Sequence, residues 1–402
     1  MLSQDSQYDL DLSSVDDLFL TITVYLFLLT VFLTQVVFVS GLTGYIFPIL
    51  GYSLFFLYFI LFTDMEISGD RNLVISLFLF CIILFLSSSN SPTLQTLLRM
   101  VSFPIFIFIN IFVIPSLVPK SAIYDGISRM SAMFVLVGLP AIISGSFGPI
   151  PSYSVISAPL ASPVELYGLT SFFANPNTMG VIAVLGTFAT LWGLFTNKSI
   201  LLVFLFFVNL SGVYFSQGRA SALALLAGFV LIGTYYVADR TGLIVITISG
   251  LVFSPVFLLM TFGLIPGFDL VQNINLNNRI PLWTAAYHAF MDRPLLGWGI
   301  GNVPDAMSPY ISRPYLEGND PHSSYIRMFT ATGLIGGTVY IYILLNVLWI
   351  RLSHVANKAE ATEYGMIVSI LILQTFSGIS IFGLAAVSVL PAIVLGYSQS
   401  RS

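Results

Sequence analysis

The sequence predicts an all-α integral membrane protein, a polytopic helical bundle of about 12 transmembrane helices. Of its 402 residues, 57% are hydrophobic and only 8% are charged, a composition unlike that of soluble domains. Apolar stretches of roughly 18–25 residues recur along the chain, and about 20 such residues cross a bilayer as a helix. The period-two alternation of a membrane barrel is absent from the sequence, so helices are expected to satisfy the backbone within the lipid.

Twelve apolar segments follow one another in a single integral membrane domain, residues 18–398. They lie at residues 18–39, 42–63, 72–87, 100–118, 127–146, 176–195, 199–215, 220–238, 241–263, 325–350, 363–379 and 381–398. The last two are short, and a tight return is expected near Gly378. Before the first span, residues 1–17 form an acidic tail, which we expect in the cytoplasm. The tail lacks the basic start of a cleaved signal peptide, so we expect the first span to be retained.

The distribution of Lys and Arg predicts the orientation, because short cytoplasmic loops collect these residues. With the N-terminus inside, eight of the 14 basic residues fall on inner loops or the C-terminus: Arg71, Lys120, Arg129, Lys198, Arg240, Arg351, Lys358 and Arg401. We therefore expect a protein of the plasma (inner) membrane whose longest loop faces the periplasm or the cell exterior.

That loop, residues 264–324, is far longer than the other connections, and loops of this length are usually functional or disordered. It gathers nine charged or titratable side chains: Arg279, Arg293, Arg313, His288, His322, Asp292, Asp305, Glu317 and Asp320. We interpret it as the outer catalytic loop over an active site at one face of the membrane.

An amphipathic surface helix is predicted inside this loop. Apolar residues recur at three- and four-residue steps, at Ile280, Trp283, Tyr287 and Phe290. Pro281 is tolerated only in a first turn, so the helix should begin near Asn278, and it should end at Arg293. We expect it to lie flat on the bilayer with the apolar stripe facing down.

Three residues are candidates for chemistry. Arg219 carries positive charge on the outer side of a short loop, against the topology rule, and is either functional or a snorkelling side chain. Arg279 is able to bind phosphate oxygens through two parallel hydrogen bonds, unless it only contacts lipid headgroups. His322 is able to accept a proton near neutral pH, although a lone interfacial histidine is often structural.

Other sequence features point away from metals, cofactors and nucleic acids. The three histidines lack the spacing of a zinc site, and the single cysteine, Cys81, lies within a span. Residues 297–302 look like a glycine-rich nucleotide loop, but they do not follow a strand, and their glycines instead indicate tight turns or close backbone approach. No segment is basic enough to predict nucleic acid as a partner. Asn175 and Pro176 have the pattern of a helix N-cap and first helical position.

Four motifs in this order resemble the O-antigen ligase/polymerase superfamily of membrane glycosyltransferases. They are Phe173-Ala174-Asn175-Pro176-Asn177, Ser216 to Ser221, Arg279 to Asn302, and Pro321-His322-Ser323-Ser324-Tyr325 followed by Thr332 to Gly336. The chain departs from the family at Ser323, where Asn is frequent, and at Arg327, where a neutral polar residue is frequent.

The resemblance implies a polyprenyl-diphosphate-linked glycan donor, a glycan or lipid-linked acceptor, and inverting transfer without a metal or cofactor. Arg219 and Arg279 would bind the diphosphate and His322 would be the catalytic base, with support from Asn175, Asn177, Asp320, Arg293 and Arg327. Polymerisation and ligation remain open, as does the oligomeric state. A transporter or flippase of lipid-linked glycans is the alternative, although transporters bind near the membrane midplane whereas these charges cluster at one edge.

Overall fold

The structure is a computed structural model that describes residues 12–36, 43–62, 67, 69–89, 94–144, 168–261, 265–266 and 279–399. Regular structure in these ranges is helical, apart from an isolated antiparallel bridge between Val36 and Phe173. The all-α membrane fold is therefore confirmed. The acidic tail up to residue 11 and most of residues 262–278 lie outside the described residues.

The long helices follow the predicted apolar segments. They are α1 (Leu12–Leu33), α2 (Thr43–Phe62), α3 (Arg71–Ser88), α4 (Leu94–Phe108) continued by a π-helical turn (Ile109–Val113) and α5 (Ile114–Leu117), α6 (Lys120–Ser144), α7 (Pro176–Thr196), α8 (Ile200–Ser216), α9 (Arg219–Thr261), α10 (Arg279–Asp292), α11 (Val303–Met307), α12 (Ser324–Ser353), α13 (Lys358–Phe376) and α14 (Ala386–Tyr397). Two 3₁₀ turns, Ser308–Tyr310 and Pro314–Leu316, lie between α11 and α12.

Six helical stretches in the described residues are long and apolar enough to cross a membrane, at Arg71–Ser88, Thr96–Leu117, Lys120–Ile143, Pro176–Thr196, Arg219–Val256 and Ser324–Ser353. Four shorter apolar helices accompany them, at Leu18–Leu33, Ile46–Leu61, Ile200–Ser216 and Ala386–Tyr397. The protein is thus an integral membrane protein, and the number of twelve crossings stays a prediction.

Two long helices are interrupted. Element α9 consists of two helices that match the predicted spans 220–238 and 241–263, and they meet at a break with non-helical dihedral angles at Ala238 and Asp239. Helix α12 is interrupted at Gly333, whose φ of +67° and ψ of −168° suit only glycine. The tight return expected near Gly378 is an irregular segment between α13 and α14 that buries Ile381 and Phe382.

Buried polar side chains join α6, α7 and α8. The Asn209 side-chain amide donates to the backbone oxygen of Ser128 at 3.1 Å and to the Thr190 hydroxyl at 3.2 Å. The hydroxyls of Ser128 and Thr190 lie 2.6 Å apart. Hydrogen bonds of this kind tie helices together where lipid gives no hydrophobic force between them.

The helix expected in the long loop forms at Arg279–Asp292, but its buried face differs from the predicted stripe. The buried residues are Leu282, Trp283, Ala285, Ala286 and Ala289. Ile280 and Tyr287 are 40% and 58% exposed, so the stripe is divided between two surfaces. The small alanines allow the helix to pack closely on the protein, against α12, and its posture relative to the bilayer stays a prediction.

Candidate active site

A cavity of about 570 Å³ lies where α7 and α9 begin and α13 ends. We call it the loop-end cavity. Its polar lining residues are Asn175, Asn177, Thr178, Ser221, Arg279, Tyr315, Asn319, His322 and Ser377. Its apolar lining includes Val181, Leu282, Leu373, Phe376, Ile379 and Val387. The cavity therefore brings together residues up to 212 positions apart in the chain, from Asn175 to Val387. It includes two of the three candidates for chemistry, Arg279 and His322.

The start of α7 supplies two amides to this cavity. Asn175 has an extended backbone, its side-chain oxygen accepts a hydrogen bond from the backbone N–H of Asn177 at 2.8 Å, and Pro176 follows at the first helical position. The N-cap interpretation of Asn175 is therefore confirmed. Both asparagine side chains are exposed and line the cavity, so the cap also places polar groups beside Arg279 and His322.

Arg279 begins α10 and reaches the end of α13. Its Nη2 donates a hydrogen bond to the backbone oxygen of Phe376 at 2.8 Å. Its buried Nε has no acceptor among the described residues. Burial lowers the pKa of Arg279 from its ordinary value, and the nearby charge of Arg219 lowers it further. A half-buried guanidinium with a spare N–H and a like-charged neighbour favours binding of an anion.

Arg219 is the first residue of α9 and follows a sharp turn. Gln217 closes α8 in the left-handed conformation with a φ of +54°, and the Gly218 N–H donates to the Ser216 hydroxyl at 3.3 Å. Arg219 is exposed and is not itself among the lining residues of the loop-end cavity, whereas Ser221, two residues later, lines it. Its positive charge lowers the pKa of Arg279, so the two guanidinium groups are near enough to interact electrostatically.

His322 has a left-handed backbone with a φ of +53°, a region that His, Asn and Asp tolerate better than most residues. Two contacts hold this turn: the Trp283 indole N–H donates to the backbone oxygen of Pro321 at 2.7 Å, and the His322 N–H donates to the Asp320 carboxylate at 3.3 Å. The Ser323 side chain then caps α12 by accepting from the Ile326 N–H at 3.5 Å. The imidazole therefore projects from a turn whose backbone is held in place by hydrogen bonds.

The electrostatic surroundings of His322 favour the neutral imidazole. Burial lowers its pKa below the ordinary value, Asp320 opposes this shift by raising the pKa, and Arg279 lowers it again. The net direction is downward, so the imidazole is unprotonated at neutral pH and able to accept a proton.

The other three predicted support residues, Asp320, Arg327 and Arg293, do not line the loop-end cavity. Asp320 forms an ion pair with Arg327, with 3.1 Å between Oδ2 and Nη1, so Arg327 orders the turn before His322 rather than lining the cavity. Arg293 lies over the Trp298 ring, 3.9 Å from its centroid, and does not line the cavity. Of the five predicted support residues, Asn175 and Asn177 thus face the site, Asp320 and Arg327 act on its turn, and Arg293 packs elsewhere.

The glycine-rich segment after α10 pairs with the interrupted helix α12. At the Gly333 break, the backbone N–H groups of residues 334 and 335 donate to the oxygens of residues 294 and 295 at 2.7 and 3.3 Å. In return, the N–H groups of residues 298 and 299 donate to the oxygens of residues 330 and 331 at 3.1 and 2.7 Å. The close backbone approach expected for this segment therefore occurs, and its partner is α12, the helix that follows His322.

Sequence reasoning missed some residues of the site. Trp283 was assigned to a lipid-facing stripe, whereas its N–H anchors the turn of His322. Asn319 and the end of α13 were not singled out, because only packing brings them to the cavity. No group of three His, Cys, Asp or Glu side chains that could hold a metal occurs in the part of the chain that the structure describes. His288 is exposed and stacks on Tyr310.

A comparison with known protein families finds a match for part of the chain. No curated protein matches this sequence. Residues 201–341 match the family model described as O-antigen ligase, and this region extends from α8 into α12 and includes Arg219, Arg279 and His322. The match confirms the resemblance to the O-antigen ligase/polymerase superfamily over residues 201–341, a segment of an integral membrane protein.

Proposed function

We propose that this protein is a glycosyltransferase that moves a glycan from a polyprenyl-diphosphate donor to an acceptor hydroxyl, in the biosynthesis of a surface polysaccharide. The observation that carries the proposal is the loop-end cavity, in which Arg279 and His322 share one lining. Arg219 adds a positive charge that acts on Arg279. The match of residues 201–341 to the O-antigen ligase family supports the reaction class.

The leaving group determines what the arginines do. When the bond between the anomeric carbon and the phosphate oxygen breaks, the diphosphate gains negative charge. Arg279 has a spare buried N–H, and its neighbour Arg219 adds a second positive charge. Preorganised donors at developing charge are usually the largest catalytic contribution, and the loss of one costs roughly 10²–10³-fold in rate. The two guanidinium groups would supply this charge without a metal or a cofactor.

The acceptor determines what His322 does. The acceptor oxygen attacks the anomeric carbon, its proton passes to the imidazole, and the diphosphate leaves from the opposite side. One displacement of this kind inverts the anomeric centre. The lowered pKa of His322 keeps the imidazole neutral and available as the base, a contribution of about 10²–10⁴-fold.

The position of the cavity fits a donor held by its lipid in the membrane. Its lining combines the polar groups with apolar side chains such as Val181, Leu282 and Phe376, which suit the first isoprenoid units next to the diphosphate. The excess of Lys and Arg at the opposite ends of the helices supports a cytoplasmic location for those ends. We infer that the protein lies in the plasma (inner) membrane with the cavity facing the periplasm or the exterior.

The direct test is transfer by the purified protein in detergent, with a lipid-linked glycan donor and an acceptor that bears free hydroxyls. Formation of the glycosylated acceptor with inverted anomeric configuration is expected, and addition of EDTA should leave the rate unchanged. Transfer needs no sealed membrane, whereas transport does. Movement of the donor across sealed vesicles without any transfer in detergent would establish the transporter instead.

A further inference from the structure

A second and larger cavity, of about 860 Å³, lies at the opposite ends of the helices that form the loop-end cavity. We call it the far-end cavity. Helix α7 contributes its last turn, α9 contributes Tyr235, Tyr236 and Asp239, α13 contributes its first two turns, and α6 contributes Lys120. From Lys358 in the far-end cavity to Phe376 in the loop-end cavity, α13 rises roughly 27 Å at about 1.5 Å per residue. This is close to the thickness of the hydrocarbon core, about 30 Å, so the two cavities lie at opposite membrane boundaries.

A buried carboxylate, Glu363, forms the inner surface of the far-end cavity. It is 0% exposed, and its Oε2 lies 2.9 Å from the Lys120 ammonium and 3.1 Å from the Arg351 guanidinium. Its Oε1 is equally buried and accepts no hydrogen bond of ordinary geometry within the described part of the chain, although the Tyr124 hydroxyl interacts with the same carboxylate. A buried carboxylate oxygen without a donor costs free energy, so the cavity favours a ligand that brings N–H or O–H groups to it.

Three further charged side chains line the far-end cavity, Lys358, Asp239 and Glu360, and Glu360 lies 3.9 Å from Arg351. The Lys358 ammonium lies over the Tyr236 ring, 4.3 Å from its centroid, and the described residues offer it no carboxylate within ion-pair distance. Asp239 lies at the interruption of α9, and no ion pair to it occurs in the described ranges. The two carboxylates Glu363 and Glu360 are thus balanced by the two cations Lys120 and Arg351. The remaining pair, Lys358 and Asp239, offers one charge of each sign and matches a zwitterion better than a polyanion.

The surroundings of this cavity indicate that the zwitterion belongs to a membrane lipid. Its side walls are aromatic, with Trp192, Phe195 and Tyr235, and aromatic faces attract cations. Beside it, Val237 is 89% exposed and Ile200 is 85% exposed, as expected of side chains that contact lipid tails. Aromatic and charged side chains next to exposed apolar ones mark the headgroup level of a membrane.

We propose that the far-end cavity binds the headgroup of a phospholipid that carries a primary ammonium next to its phosphate, as in phosphatidylethanolamine. Lys358 binds the phosphate, and the ammonium donates to Asp239 and to Oε1 of Glu363. A quaternary ammonium offers no N–H donor to this buried oxygen, so phosphatidylcholine binds less well. This assignment is independent of the reaction at the loop-end cavity.

The first test uses the wild-type protein, purified in detergent and titrated with phosphatidylethanolamine, its N-methyl and N,N-dimethyl derivatives and phosphatidylcholine, all with the same acyl chains. Native mass spectrometry measures the fraction of protein with bound lipid. Affinity is expected to fall with each methyl group, by about tenfold or more over the series, since hydrogen bonds to charged groups contribute roughly 1.5–3 kcal/mol. Equal retention across the series, or preference for phosphatidylglycerol, would overturn the proposal.

The second test locates the site with two exposed residues, through Lys358→Gln and Asp239→Asn. Lys198→Gln is the matched control, because Lys198 is exposed at the same ends of the helices and does not line the cavity. Both variants should lose about tenfold in affinity for phosphatidylethanolamine, and the control should bind like the wild type. If both variants bind phosphatidylethanolamine like the wild type, the proposed site is wrong. If one variant fails to fold, the other variant and the methylation series still test the proposal. Competition by soluble glycerophosphoethanolamine at the affinity of the lipid would contradict a membrane source.

Discussion

Replacement of Gly333 by alanine tests the contact between the long loop and α12, the helix that follows His322. The backbone of Gly333 has a φ of +67° and a ψ of −168°, a conformation that costs other residues about 1–3 kcal/mol. An added Cβ would lie 2.2 Å from the carbonyl carbon and oxygen of Leu295 and 2.5 Å from the nitrogen of Leu296. These are backbone atoms, so only separation of the two segments relieves the overlap.

Separation would weaken the backbone hydrogen bonds that join residues 294–299 to α12 around Gly333. Each such bond contributes about 0.5–1.5 kcal/mol, so with the conformational cost we expect Gly333→Ala to destabilise the protein by about 3 kcal/mol or more. Thermal unfolding in detergent measures this loss of stability, and the midpoint temperature of unfolding should fall by on the order of 5 °C. Transfer activity should fall with it, because the same contact holds the segment from which His322 projects.

Two other glycines are controls for this substitution. Gly233 lies in α9 with no atom within 4 Å of an added Cβ, so Gly233→Ala should be neutral or slightly stabilising. Gly318 has a φ of +75° and equally open space, so Gly318→Ala tests the conformational cost without the overlap. If Gly333→Ala unfolds at the same temperature as Gly233→Ala, the loop does not depend on its contact with the break in α12.

Two further predictions concern the environment of His322. The transfer rate should be constant through neutral pH and fall only as the imidazole is protonated below its ordinary pKa of about 6.5, because burial lowers that pKa. Asp320 raises the pKa, so Asp320→Asn should move this acid limb to lower pH, and a shift to higher pH in the pH–rate profile would contradict the assignment. Trp283→Phe removes the donor to the Pro321 oxygen, a loss of roughly 1–3 kcal/mol at a buried acceptor. It should lower kcat by about tenfold through misplacement of the base, whereas Trp349→Phe, at an exposed position of α12, should not change kcat.

The sequence predicts the helices of this protein well because they depend on local properties. Apolar length sets the helices, and the pair Asn175-Pro176 starts α7 through its own side chain and ring. The candidates Arg279 and His322 were found because charged and titratable groups are scarce in an apolar chain and stand out at its membrane boundaries. The prediction that these two residues share one site, and the chemistry assigned to that site, came from the resemblance of four separated motifs to one family.

Other features depend on contacts between distant segments and could not be predicted. Ile280, Trp283 and Tyr287 share a helical spacing, yet the protein buries only Trp283, because its indole N–H reaches the Pro321 oxygen. The break at Gly333 looks like an ordinary helix glycine until the paired segment near Leu295 is placed beside it. The far-end cavity similarly requires the packing of three helices, and no motif in the sequence marks it.

The most direct test of the account is the transfer rate of the His322→Asn variant, measured together with its binding of the lipid-linked donor. Asparagine tolerates the left-handed backbone of residue 322 but cannot act as the base. We predict that donor binding persists, since Arg279 and Arg219 are intact, while transfer falls by about 10²–10⁴-fold. Transfer at the wild-type rate by a folded His322→Asn protein would contradict the central claim that this imidazole activates the acceptor in the cavity it shares with Arg279.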